Sequence, residues 1–271
     1  MGDRPVLLTG ASGLLGHWML RAAPDPDALV ALTSRRRVLG IPDVRADLRD
    51  RGSTMAAVRR ANPSLVIHAA YAKDRASIVD ATQHLIDAAA SAGADVMFIS
   101  SDAVFAGDGI ARDEAAVPDP VWDYGRWKAE AERIVRRASD HAGVVRLPLL
   151  VSVAPDDHVV GKLRTSAGRN ETTQWFADET RRPAMASEVA TALWRIASLP
   201  PEVRSGVWHL AGACRLSRYE IAQRVADHLG LSHGLIEGVK TPDGADRPRD
   251  LDFTDERARA TIDWHPSPIL R

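Results

Sequence analysis

The sequence predicts an α/β fold: a doubly wound parallel sheet with helices on both faces and a small C-terminal substrate-binding part. Three observations predict it. Apolar runs of strand length alternate with segments of helical period. A glycine-rich turn, Thr9-Gly10-Ala11-Ser12-Gly13-Leu14-Leu15-Gly16, follows the first such run. The 271 residues, 45% hydrophobic and 26% charged, suffice for one large domain or two small ones. Residues 1–150 are expected to form a dinucleotide-binding domain. Residues 151–271 are expected to form mainly a substrate-binding part, with segments free to return to the sheet.

In chain order, Val6-Leu7-Leu8 reads as the first strand and His17-Trp18-Met19-Leu20-Arg21 as helix. Between them, Gly10 permits the tight turn off the strand, Gly13 lets the backbone approach a pyrophosphate, and Gly16 lets the helix pack closely on the sheet. The helix N-terminus then offers free N–H groups to the anion. Further strands are read at 29–32, 65–67, 96–99 and 144–147, and helices near 53–61, 78–92 and 127–138. The last of these carries Ala131, Ile134, Val135 and Ala138 at helical spacing, with charges on the opposite face.

The second strand tests which dinucleotide is bound. An acidic residue about 20 positions past the glycine loop would accept from the ribose 2′-hydroxyl of NAD. Here the strand leads into Thr33-Ser34-Arg35-Arg36-Arg37. Guanidinium groups at that place suit a 2′-phosphate, so NADPH/NADP is expected ahead of NADH; the alternative is a solvated basic turn. Asp47, in Ala46-Asp47-Leu48, either accepts from the adenine amino group or caps a turn.

Composition excludes other classes. The longest early apolar run is Val6 to Leu8, too short for a signal peptide or a spanning helix there, so a cytoplasmic protein without membrane attachment is expected. Cys214 is the only cysteine, which excludes an internal disulfide and a thiolate zinc cluster. A net charge of −1 gives no footprint for nucleic acid. The 9 histidines show no metal-ligand spacing, and His228 with His233 reads as a helix end.

The catalytic signal is Tyr124-Gly125-Arg126-Trp127-Lys128. Its four-residue offset places hydroxyl and ammonium on one helix face, a turn apart. A neighbouring ammonium favours phenolate and is expected to lower the tyrosine pKa. Ser100-Ser101-Asp102 ends the strand at 96–99, on the sheet edge where open α/β folds bind ligands. Further on, Ser217-Arg218-Tyr219-Glu220 forms a capping box ahead of a helix bearing Ile221, Val225 and Leu229. Arg218 and Tyr219 either face the cleft or lie on the helix surface. Lys162, Arg164, Arg181 and Arg182 are cations available to a diphosphate, Arg182 being favoured.

Together, Thr9-Gly10-x-x-Gly13-x-x-Gly16, His68-Ala69-Ala70, Ser101 and Tyr124-x-x-x-Lys128 resemble the extended short-chain dehydrogenase/reductases, which have a Rossmann-like fold. Within them, Ile99-Ser100-Ser101-Asp102-Ala103-Val104-Phe105-Ala106-Gly107 is similar to the dTDP-4-dehydrorhamnose reductases. So are Asp178-Glu179-Thr180-Arg181-Arg182-Pro183, Gly206-Val207-Trp208-His209-Leu210-Ala211-Gly212 and Arg247-Pro248-Arg249. The resemblance implies an NADPH-dependent reductase of a nucleotide-linked 4-keto-6-deoxysugar. Tyr124 would protonate the oxygen, Lys128 would lower the tyrosine pKa and orient the ribose, and Ser101 would position the carbonyl. It implies cofactor contacts at Thr9, Gly10, Ser12, Gly13, Leu14, Leu15, Gly16, Ser34, Arg35, Arg36, Asp47, Leu48, Ala69, Ala70, Tyr71, Ser100, Tyr124, Lys128 and Leu147. Substrate contacts are implied at Ser101, Asp102, Ala103, Val104, Tyr124 and Arg182. An epimerase of the same fold and a non-catalytic NADP-binding regulator are the alternatives, and the resemblance leaves room for a homodimer. One departure is Pro148-Leu149-Leu150-Val151, where rhamnose-pathway relatives usually carry an aromatic residue.

Overall fold

The computed structural model describes residues 4–34, 37–38 and 40–270. Its first half runs β1 (Val6–Thr9), α1 (Leu14–Arg21), β2 (Leu29–Thr33), β3 (Asp43–Arg45), α2 (Arg51–Ala61), β4 (Leu65–His68), α3 (Ala81–Ser91), β5 (Asp95–Ser101), β6 (Asp108–Arg112), α4 (Asp123–Ala138) and β7 (Gly143–Leu147). Then come β8 (Leu150–Val151), α5 (His158–Gly168), β9 (Thr173–Phe176), β10 (Thr180–Arg181), β11 (Ala184–Met185), α6 (Ala186–Ala197), α7 (Pro201–Arg204) and β12 (Gly206–His209). The chain closes with β13 (Leu216–Ser217), α8 (Arg218–Leu229), β14 (Ile236–Val239), β15 (Asp250–Phe253) and α9 (Glu256–Ile262).

Among the described residues, seven strands form a parallel sheet in the order β12-β7-β5-β4-β1-β2-β3. Strand order reverses between β1 and β4, so a crevice opens beyond their C-terminal ends, the place where such sheets bind ligands. Side chains alternate across the sheet as the pleat requires. Val6 and Leu8 pack on one face with Met19 of α1 and Leu193 of α6, while Leu7 packs on the other with Val58 of α2, Leu85 of α3 and Val135 of α4. This is the doubly wound fold expected from the strand and helix alternation.

The rest of the chain is more interwoven than a split at 150 suggests. β12 returns to the edge of the main sheet, and α6 packs on α1. A second sheet, β13-β10-β15-β6, recruits β6 from the first half. A separate core of α5 and α8 gathers Val160, Leu163, Trp175, Ile221 and Val225. Helix α8 starts with the expected capping box: Ser217 Oγ accepts from Glu220 N at 3.1 Å, and Glu220 accepts from Ser217 N at 2.7 Å. His228 lies in its last turn. Two boundaries differ from the sequence reading in ways that matter. The helix expected from 127 begins at Asp123, which puts Tyr124 in its first turn, and a π-helical turn, Ala76–Asp80, precedes α3. Among the described residues no helix is long and apolar enough to cross a membrane.

Candidate active site

The glycine loop joins β1 to α1 beneath the crevice. Gly10 adopts φ +73°, and a Cβ there would stand 2.8 Å from the backbone of Ala69 and Ala70, beyond β4. A Cβ on Gly16 would lie 2.2 Å from Gly10 O, so the helix rests directly on the loop. Exposed Gly13 caps α1 without any side-chain hydrogen bond, leaving the first-turn N–H groups turned outward. A bare backbone cradle at a helix N-terminus fits a pyrophosphate.

Thr9 locks this cradle from below. Its Oγ1 accepts from the N–H groups of Ala69 (3.2 Å) and Ala70 (3.1 Å) and lies 2.8 Å from His68 Nδ1. On the other side of the ring, Nε2 lies 3.2 Å from Thr82 Oγ1, whose own hydrogen goes to Ile78 O. His68 therefore donates from Nε2 and accepts at Nδ1 from Thr9. Burial, with the Lys128 charge second, lowers its pKa to about 3, so the ring is neutral.

The Ser101 and Tyr124 side chains meet at the end of β5, and Lys128, one helical turn on, is held at the same strand by Ile99 O. The Tyr124 ring contacts Trp122 (5.4 Å between centroids) and Tyr71 (5.8 Å), and its hydroxyl adjoins those of Ser101 and Tyr71. Lys128 is 3% exposed; its Nζ donates to Ile99 O at 2.9 Å and sits 4.9 Å from the Tyr71 centroid and 4.8 Å from that of Phe98. Since Tyr71 directly follows Ala69 and Ala70, one short segment connects the glycine cradle to the tyrosine and lysine. Gly125 makes this assembly possible: a Cβ there would fall 2.1 Å from Ala103 O. Gly125→Ala is therefore expected to push α4 off the 102–104 turn, lowering stability by about 1–3 kcal/mol in urea unfolding and displacing Tyr124 from Ser101.

The electrostatics correct one expectation. Lys128 was expected to lower the Tyr124 pKa; instead burial holds the phenol well above its usual value, with Tyr71 adding to the rise and Ser101 opposing it. The reason is that Lys128 is itself desolvated. Burial brings its ammonium down to about 7, opposed by Glu132, and its hydrogen bond goes to Ile99. Tyr124 is thus a protonated phenol at neutral pH.

Asp102 lies behind Ser101, whose Oγ donates to Oδ1 at 2.9 Å. Its Oδ2 is buried without a hydrogen bond among the described residues, and burial raises its pKa against the pull of Arg181, Ser101 and Arg218. Next to it, fully buried Glu179 binds Arg247 (2.7 Å), Arg181 (3.4 Å) and, more loosely, Arg218 (3.9 Å). Two of the motifs noted in the sequence, around 178–183 and 247–249, therefore meet in one ion cluster. Within the described residues the Arg218 guanidinium makes no hydrogen bond, and its charge reaches His158 and Lys162 of α5. Lys73 also acts on His158.

Other sequence assignments land differently. Arg182 is held by Gly212 O (3.0 Å) and Asp252 (3.3 Å), which occupies the cation favoured from the sequence. Tyr219 packs against Gly238 and belongs to the core of the α5 and α8 region. Ala103, Val104, Leu48 and Leu147 have buried side chains. The Ser100 hydroxyl points inward to Glu132 at 2.5 Å. Asp47 forms a two-pronged ion pair with Arg49, while Ser12 is exposed beside the cradle and Leu14 and Leu15 are half-buried. Ser34 O accepts from Arg45 at 3.3 Å. Arg35 and Arg36 lie outside the described residues. Glu132, Trp122 and Glu179 were not picked out from the sequence as site residues; only the four-residue step from Lys128 to Glu132 could have flagged the first.

A family profile described as the RmlD substrate binding domain matches residues 4–268. The chain belongs to the RmlD substrate-binding domain family. Curated RmlD-like relatives include methionine adenosyltransferase 2 subunit beta of Bos taurus, 28% identical over 267 residues, covering 91% of this chain and 79% of that protein. Another is the dTDP-4-dehydrorhamnose reductase of Aggregatibacter actinomycetemcomitans, 24% identical, with 86% and 82% covered. Among solved structures, dTDP-4-dehydrorhamnose reductase from Bacillus anthracis in complex with NADP superposes with a TM-score of 0.81 at 20% identity, covering 95% of this chain and 92% of that one. MoeE5 in complex with UDP-glucuronic acid and NAD has a TM-score of 0.81 at 23% identity, with 97% and 94% covered. The likeness to these solved structures is one of fold, the Rossmann-like parallel sheet with helices on both faces.

Proposed function

We propose that this RmlD-family protein is an NADPH-dependent reductase of a nucleotide-linked 4-keto-6-deoxysugar. The observation that carries the reading is the placing of Ser101, Tyr124 and Lys128 at one end of β5, beside a backbone cradle fit for a pyrophosphate. The bound nicotinamide would supply the hydride. Gly10, Ser12, Gly13, Leu14, Leu15 and Gly16 hold its diphosphate, with Ala69, Ala70 and Tyr71 beside them; the 2′-phosphate is assigned to Arg35 and Arg36 on the sequence alone. Ser101, turning its one hydrogen away from Asp102 Oδ1, donates it to the carbonyl oxygen of the sugar. Tyr124, kept protonated by burial, gives its proton to that oxygen as negative charge develops there. Lys128 contributes a buried positive charge that favours the developing anion.

The substrate diphosphate is assigned to Arg218, supported by Lys162, His158 and Lys73. Arg247, a partner of Glu179 like Arg218, lies 5.8 Å from the Trp122 ring and 5.4 Å from that of Phe176. Arg218→Gln is expected to weaken binding of a nucleoside diphosphate by about 10- to 100-fold in calorimetry, the loss of one charge-assisted contact; Arg182→Gln should leave it unchanged.

The reading is tested by adding a panel of dTDP- and UDP-linked 4-ketosugars to protein and NADPH and following NADPH oxidation. Oxidation with at least one sugar supports it. No oxidation with any sugar, by protein that binds NADPH, overturns it. A second reading, a cofactor-binding subunit of another enzyme, is favoured by relatives named as a subunit of methionine adenosyltransferase 2. Co-elution with a methionine adenosyltransferase catalytic chain in gel filtration would support that reading.

A further inference from the structure

Among the described residues the buried Lys128 amine forms no ion pair of its own, and its hydrogen bond goes to Ile99 O. The elements around it present His68 from β4, Tyr71 from the segment after it, Phe98 and the Ile99 carbonyl from β5, and Tyr124 and Glu132 from α4. Glu132, one helical turn further along α4, is the only carboxylate in that set. It is 2% exposed and fully engaged. Ser100 Oγ donates to its Oε1 at 2.5 Å; Arg146 of β7 donates from Nε at 3.0 Å and from Nη2 to Oε2 at 2.8 Å. Arg146, 1% exposed, also reaches His209 Nε2 of β12 at 3.2 Å, and His209 donates from Nδ1 to Thr254 O at 2.9 Å.

Three adjacent strands and α4 are thus tied together directly beneath the Tyr124 and Lys128 turn. A buried ion pair is a poor way to gain stability, because desolvating both charges opposes their attraction. Its value here lies in position. Ser100 sits between Ile99, which holds the lysine, and Ser101, which adjoins the tyrosine.

We infer that Glu132 is a positioning residue for the site: strapped to Ser100 and Arg146, it fixes α4 against the end of β5 and places a carboxylate one helical turn from Lys128. The inference deepens the reductase reading and rests on it for its catalytic meaning. Its test needs no cofactor and no substrate.

The chain has only four lysines, Lys73, Lys128, Lys162 and Lys240, so isotope-labelled lysine side chains can be followed one by one by NMR. Lys128→Met identifies the resonance. In the parent, the Lys128 amine is expected to titrate near 7. In Glu132→Gln its proton affinity should fall by about tenfold or more, making the amine neutral at pH 7, while Glu132→Asp should restore most of it. A merely structural glutamate would change unfolding and leave the midpoint in place. Should Glu132→Gln fail to fold, Glu132→Leu with Arg146→Met removes the pair as a unit, a replacement that buried pairs tolerate; a smaller fall in the same direction is expected, because loss of the Arg146 charge offsets part of the loss of the carboxylate. An unchanged Lys128 midpoint in either folded variant overturns the inference. Absence of NADPH oxidation by the parent would overturn the reductase reading and leave this measurement standing.

Discussion

Tyr124→Phe is expected to reduce hydride transfer to a 4-ketosugar by about 10²- to 10⁴-fold while NADPH affinity changes little. The variant keeps the ring and its contacts with Trp122 and Tyr71, and removes only the hydroxyl beside Ser101. A tyrosine that served only packing would lose about one hydrogen bond of stability and no rate. Single-turnover kinetics in excess enzyme, together with thermal unfolding, separates the two. Unreduced hydride transfer would remove Tyr124 as the donor, and with it the main ground for preferring an enzyme over a cofactor-binding subunit.

The second large effect is acid lability. His68 and His209 are buried and neutral, with burial the main cause of pKa values of about 3. In the unfolded chain each titrates near 6.5. The unfolded state therefore binds more protons between these values, so the stabilising effect of the neutral rings is complete above about pH 6.5 and fades as pH falls toward 3. Each ring should remove about 1.4 kcal/mol of stability per pH unit in that window. Urea unfolding at pH 7, 6 and 5 checks this. His68→Asn is expected to be less stable at pH 7 yet to show a clearly shallower decline on acidification; an equal slope would mean that the ring is not buried neutral.

Much of the site was legible because it depends on short spacings. Gly10, Gly13 and Gly16 report the loop since only a missing Cβ lets Gly10 approach Ala69 and Gly16 approach Gly10. Tyr124 and Lys128 report themselves because one helical turn aligns them. What could not be read is what depends on distant partners. That Arg182 is tied to Asp252 and Gly212 depends on partners 70 and 30 residues away. The direction of the Tyr124 pKa turns on how deeply both partners are buried, which spacing does not reveal. The Glu179 cluster draws on Arg247, 68 residues away, and the Glu132 strap on strands whose adjacency only the sheet order establishes.

The place of β12 outside β7 bears on how the chain is made. Until residues 206–209 have been synthesised, β7 is an edge strand, its outer row of N–H and C=O groups unpaired and Trp208 absent from the core it later fills. A polypeptide stopped near residue 150 would already hold the glycine loop, Ser101, Tyr124 and Lys128, yet it would present an open parallel edge to any neighbouring strand. Arg146, at the same edge, would lack His209. The nascent protein thus carries its chemical groups well before it can shield them, and that interval is when aggregation competes with folding.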